Sequence, residues 1–248
     1  MVSRDPDVLA AAVAARLVTR LVDAQTARGT ASVVLTGGGV GTAALRAVRS
    51  AAARQAVDWR RVDVWWGDER FVPARNPERN DRQAYDALLD SLDVDPARLY
   101  PMESLGGRDG TDADAAAERY SAQLAAAAGR DADVPEFDVL MLGMGPEGHN
   151  ASIFPESPAA YDERTVVAVH GCPKPPPVRL SMGFAALTAA REVWLLVAGA
   201  EKAPAVALAL SGAGRVQVPA AGPAGRQQTL WLLDEAAAGH LPRDLRRR

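Results

Sequence analysis

Five strand-length apolar runs, set between longer stretches of helical pattern, constrain this chain more than any other feature. Residues 31–35 (ASVVL), 62–66 (VDVWW), 137–142 (FDVLML), 192–198 (EVWLLVA) and 229–233 (TLWLL) carry little polar alternation. Runs of that kind fit strands buried on both faces. Asp5-Pro6 supplies a capping carboxylate and a first-position proline. A helix follows to about residue 27, with Val8, Leu9, Val13, Leu17 and Leu21 as its apolar stripe. Further helices are expected over residues 42–54, 81–89, 113–128 and 203–210. Residues 165–169 and 179–182 read as two more strands, the second leading into a short helix near 184–189. Strands alternating with helices predict an α/β fold, Rossmann-like, with a mostly parallel sheet and helices on both faces. No repeat or linker divides residues 1–248, so one domain is expected.

Hydrophobic residues make up 48% of the chain but aromatics only 5%, so much of the core must be small side chains on closely packed helices. A net charge of −3 gives no general reason to bind nucleic acid or an anionic membrane. The single cysteine, Cys172, permits neither an internal disulfide nor a cysteine-based zinc site and suits a reducing cytoplasm. The N-terminal segment, with Asp5, Asp7 and Arg16, does not read as a signal peptide, and no run is long and apolar enough to span a membrane. The oligomeric state is open, with a monomer as the default expectation. The C-terminal LPRDLRRR reads as a solvated basic tail.

In a parallel sheet the turns after successive strands emerge at one edge, where ligands bind. Three unusual turns fall there: TGGGVG after the first strand, GDER after the second, GMGPEGHN after the third. In the first, Gly37, Gly38 and Gly39 permit close approach of a ligand to main-chain N–H groups, and a helix following it suits a phosphate. A tight strand-to-helix turn is the plain alternative. The spacing is neither a Walker loop nor GxGxxG. In the second, Arg70 could grip an oxyanion and Asp68 could accept from sugar hydroxyls; a surface salt bridge is the plain alternative. In the third, His149 stands beside Glu147 at a strand end, with a helix start expected nearby to keep the ring neutral. His170 and His240 read as structural or exposed.

Five segments in order, LTGGGVGTA, VWWGDERFVP with Asn80 downstream, LGMGPEGHNASIFP, PKPPPVRLSM and VAGAEKAPAV, resemble the 6-phosphogluconolactonases within the wider group that includes glucosamine-6-phosphate deaminases. The resemblance spans nearly the whole chain. It implies hydrolysis of 6-phospho-D-glucono-1,5-lactone, the second step of the oxidative pentose phosphate pathway, with no metal and no organic cofactor. It places His149 as the base, with Glu147 at the position of the usual Asp beside it; the oxyanion could be met by Arg70 or by main-chain N–H groups of a glycine turn. Lys174, Arg179, Lys202 and the glycine loop would hold the phosphate, with Thr36 or Thr42 supplying hydroxyls. Two positions depart from the family pattern: the loop usually reads SGGSTP, and the usual DGH is EGH here. The rival readings are a sugar-phosphate isomerase or deaminase, a nucleotide-binding dehydrogenase and a non-catalytic sugar-phosphate sensor. No G-x-S-x-G elbow supports a serine hydrolase.

Overall fold

The computed structural model describes residues 1–242 and 245, so the expected basic tail falls largely outside it. In chain order the elements are β1 (Val2–Ser3), α1 (Pro6–Arg28), β2 (Ala31–Leu35), α2 (Gly38–Ser50), β3 (Val62–Trp66), β4 (Asp68–Arg70), α3 (Asn80–Ala87), β5 (Leu99–Tyr100), α4 (Ala113–Ala128) and β6 (Val139–Gly143). Then come α5 (Pro158–Tyr161), β7 (Val166–Val169), β8 (Arg179–Met182), α6 (Phe184–Leu187), β9 (Glu192–Val197), α7 (Ala203–Leu210) and β10 (Gln228–Asp234).

The five apolar runs form the centre of a seven-stranded sheet in the order β1-β10-β9-β6-β2-β3-β5, with every pairing parallel. Alternate residues of each run enter opposite cores. Val33, Leu35, Val64, Trp66, Met141 and Trp194 face one core with α1, α2 and α3. Val34, Trp65, Leu140, Leu142 and Leu195 face the other with α4 and α7. Helix α1 is capped as its sequence suggests: Asp5 Oδ1 accepts from Val8 N at 2.8 Å, and Gly29, at φ +79, ends it. The stripe is Leu9, Val13, Leu17 and Leu21; Val8, in the first turn, is an exposed exception to the expectation. No helix among the described residues is long and apolar enough to cross a membrane.

The structure departs from the expectation in a second, antiparallel sheet, β4-β8-β7. The strands at 165–169 and 179–182 exist but lie outside the parallel sheet, and the DER segment, read as loop, is its third strand. Gly67 is the joint between the sheets. Its N–H donates to Leu35 O at 3.2 Å, and its own carbonyl accepts from Met182 N at 2.8 Å. The small sheet packs against the α4 side of the large one, so Leu180, Met182 and Val167 share a core with Trp65 and Leu142.

Candidate active site

A cavity of about 230 Å³ lies beyond the carboxyl ends of β2, β3 and β6, where the two sheets meet. Its walls bring together Thr36, Gly37, Gly38, Gly39, Asp68, Arg70, Asn80, His149, Arg179 and Lys202, from segments far apart in the chain. Among the expected site residues Thr42, Glu147 and Lys174 do not line it.

The glycine segment is not a free turn leading to a helix at Thr42. Gly37 is the N-cap and α2 begins at Gly38, so Thr42 sits beyond the first turn, buried in the helix packing and away from the cavity. The first N–H groups of a helix have no partner within it, and α2 has no side-chain cap. Its positive end therefore faces the cavity from Gly37 to Val40. Gly37 is required by contact: a Cβ there would stand 1.9 Å from Asn80 Oδ1. Thr36 Oγ1 accepts from Gly143 N at 3.2 Å and ties the ends of β2 and β6 together.

Strand geometry sorts the DER segment, because side chains alternate between faces. Asp68 and Arg70 reach the cavity; Glu69 points the other way and is fully buried. Asp68 is already bonded: Oδ2 accepts from Ser152 Oγ at 2.7 Å, and Oδ1 accepts from Asn80 Nδ2 at 3.1 Å. Arg70 donates through Nη1 to the Glu78 carbonyl, while its buried Nε has no partner. Glu69 caps α3 from a distance. Its Oε1 accepts from Arg70 N and Asn80 N, both at 2.7 Å, and its Oε2 from Asp81 N at 2.8 Å. Burial pushes the Glu69 carboxyl up to about 8, against the pull of buried Arg79, whose Nη2 lies 3.7 Å away. Glu69, Arg79 and Ser152 are structural supports of the cavity wall that sequence reasoning missed. Period-two alternation through DER was the available signal for Glu69; nothing local marks Ser152 as a partner of Asp68.

His149 sits in a turn closed by Gly145 N to His149 O and Gly148 N to Gly145 O, both 3.0 Å. A Cβ on Gly145 would meet His149 Nδ1 at 2.0 Å, so glycine is what lets the imidazole fold over the backbone. The ring also stacks on Phe154, with centroids 4.4 Å apart and planes 23° from parallel. Nδ1 lies 3.2 Å from Glu147 Oε2, within ion-pair range but off the line of a well-formed hydrogen bond. Burial holds the His149 pKa below 6.5; Glu147 opposes this and Lys174 reinforces it. This corrects the expected cause, because no helix begins just after His149. Burial works to raise the Glu147 pKa, but the hydrogen bond from Lys174 and the neighbouring donors bring it below the ordinary carboxylate value.

The remaining cations divide. Lys202, half-buried on the wall, has no ion-pair partner among the described residues. Arg179 is buried and donates to the carbonyls of Lys174, Pro175 and Pro176 at 3.1, 3.1 and 3.2 Å, while also lining the cavity. Lys174 lies off the cavity, on Glu147. Three cations against one bonded carboxylate give the cavity a positive lining suited to an anion. Among the described residues no group of three or more His, Cys, Asp or Glu is placed to hold a metal ion.

A family model described as glucosamine-6-phosphate isomerases/6-phosphogluconolactonase matches residues 4–231. The chain is 57% identical over 248 residues to a 6-phosphogluconolactonase of Streptomyces coelicolor, covering 99% of this chain and 95% of the relative. It is 51% identical over 239 residues to a 6-phosphogluconolactonase of Mycobacterium tuberculosis, covering 96% of each. A solved 6-phosphogluconolactonase from Trypanosoma brucei superposes with a TM-score of 0.83 at 28% identity, covering 98% of both chains.

Proposed function

The chain belongs to the glucosamine-6-phosphate isomerase/6-phosphogluconolactonase family, and from that premise we propose that it hydrolyses 6-phospho-D-glucono-1,5-lactone to 6-phospho-D-gluconate as a single-domain enzyme. One observation carries the mechanistic reading: a neutral-leaning imidazole, a helix N-terminus and three cations share one small cavity.

A lactone carbonyl is already electrophilic, so the reaction needs a positioned water, a base and a donor for the developing oxyanion. His149 takes a proton from the water as its oxygen bonds to C1. The oxyanion that forms is stabilised by Arg70, whose side chain lines the cavity. Collapse of the tetrahedral intermediate breaks the bond from C1 to the ring oxygen, and the imidazolium returns its proton to that oxygen. Glu147, beside Nδ1, favours the tautomer that leaves Nε2 as the base. No step in this scheme calls on a metal ion or an organic cofactor.

The phosphate is far from the reacting carbon and acts as an anchor that orients C1. The first turn of α2, Lys202 and Arg179 form the anion site for it. Asp68 and Asn80 hold the wall together through their mutual hydrogen bond and line the cavity that would receive the sugar hydroxyls.

The test is direct: freshly generated lactone, with spontaneous opening subtracted, assayed with the native protein and with His149→Ala. General base catalysis is worth a factor of about 100 to 10,000, so the variant should lose at least about 100-fold in kcat. A variant with near-native kcat would reject His149 as the base. A native protein inert on the lactone but active on glucosamine 6-phosphate would assign the chain to the other branch of its family.

A further inference from the structure

We propose that Lys174 is a positioning residue for the His149–Glu147 pair, acting through the Glu147 carboxylate rather than binding the substrate phosphate. The inference rests on the reading of His149 as the base.

Lys174 Nζ meets both oxygens of Glu147, at 2.7 Å from Oε1 and 3.0 Å from Oε2. It also lies 5.9 Å from the centroid of Phe154, the ring on which His149 stacks. Lys174 thus touches both neighbours of the imidazole, yet it does not line the cavity. Its backbone is fixed as well. Arg179 grips the carbonyls of residues 174, 175 and 176, and Cys172 N donates to Pro177 O at 2.9 Å, closing the loop on itself. To bind a phosphate in the cavity, Lys174 would have to abandon Glu147. Lys202 already lines the wall with no competing carboxylate.

Two consequences follow for the imidazole. A carboxylate held at both oxygens keeps one rotamer, with Oε2 beside Nδ1. An ammonium behind it offsets its charge, so Glu147 orients the ring without making it strongly basic. The other charged groups around His149 are Asp68 on β4 and, across the cavity, Arg70, Arg179 and Lys202. None of them contacts Glu147. Removing Lys174 alone therefore leaves the Glu147 charge to act on His149 unopposed, and the proton affinity of the ring should rise.

The size of that rise follows from distance. Nζ and Nδ1 are linked through one carboxylate oxygen, at most roughly 6 Å apart. With solvent screening at this half-exposed lysine, the acid limb of kcat/KM should move up by about half to one pH unit in Lys174→Met. The measurement is kcat and KM for fresh lactone from pH 5 to 8.5, for the native enzyme, Lys174→Met and Lys174→Arg. Expected are an upward shift of the acid limb in Lys174→Met, with KM within about threefold of native at pH 8, and near-native behaviour of Lys174→Arg. In a Glu147→Gln background the Lys174→Met shift should shrink, because the intermediary is gone.

A KM raised tenfold or more with an unmoved acid limb would make Lys174 a phosphate ligand and overturn the proposal. An unchanged profile in every variant would overturn it too. Failure of the underlying reading looks different: native protein inactive on the lactone, or His149→Ala still active.

Discussion

Gly145→Ala should disable the enzyme while leaving the fold standing. The added Cβ would lie 2.0 Å from His149 Nδ1, 2.1 Å from Cε1 and 2.6 Å from Glu147 Oε2. Comfortable carbon–heavy-atom contact begins at about 3.5 Å, so the ring must retreat by more than about 1 Å. Its freedom to move is limited, because Phe154 is stacked on it at 4.4 Å and is itself buried. The imidazole must therefore swing, and it leaves Glu147 as it does. Misplacing a catalytic group by about 1 Å costs on the order of 100-fold, and the loss should fall on kcat. Gly145 is not among the positive-φ glycines, so alanine strains no backbone there. The fold should feel about 1 kcal/mol or less, a change of about 4 °C or less in Tm for a chain of this size. The assay is corrected lactone hydrolysis beside thermal unfolding. Gly214→Ala serves as the control, since nothing lies within 4 Å of a Cβ there and its φ is not positive. A Gly145→Ala protein with more than a third of native kcat would refute the steric reasoning. So would a loss of activity matched by a collapse in Tm.

Three further outcomes follow. Burial holds the His149 pKa below its usual 6.5, and the proposed base works only when neutral, so native kcat/KM should have an acid limb with its midpoint below 6.5; a midpoint above 7 would contradict this. Ser152→Ala removes the 2.7 Å bond to buried Asp68 Oδ2 and should cost about 1–3 kcal/mol in urea unfolding, with a lower kcat/KM because the His149 turn loses its tie. Tyr120→Phe strips the hydroxyl that accepts from Trp66 N at 3.1 Å and reaches Tyr100 O at 3.1 Å. It should lower stability by about 1–3 kcal/mol while kcat/KM at 25 °C stays within twofold.

The sequence made the large sheet legible because its central strands are continuous apolar runs with no competing interpretation. It hid the small sheet for a physical reason. Strand β4 is three charged residues whose pairing with β8 lies over a hundred positions away, and charge runs ordinarily mark solvated surface. The two-residue strands β1 and β5 are too short to leave a pattern. The start of α2 was misplaced because glycines disfavour helix, whereas tertiary packing begins the helix at Gly38 regardless. That shift carries the main-chain donors to the cavity and takes Thr42 away from it. His149 was legible through the glycines its turn requires. Its supports were not, since Phe154 and Lys174 gain meaning only once the chain folds back on Glu147.

The second sheet helps explain how the proposed base, carried on a turn, is held in place. The large sheet supplies the helix end, and the small sheet supplies Arg70 and Arg179. His149 belongs to neither, yet Ser152, three residues on, bonds to Asp68 of the small sheet, and Ser152 N donates to Ser181 Oγ on β8 at 3.2 Å. The same turn is joined on its other side where Asn150 Nδ2 donates to Pro219 O at 3.1 Å and Ala220 N to Gly148 O at 3.0 Å. The turn is thus stapled to the chain on both flanks while the ring between them remains at the cavity wall. Three of these four ties use a side chain, and none belongs to a strand ladder. Loss of a single staple should therefore displace His149 before it unfolds the protein, and activity should be a more sensitive reporter of Ser152 than stability is.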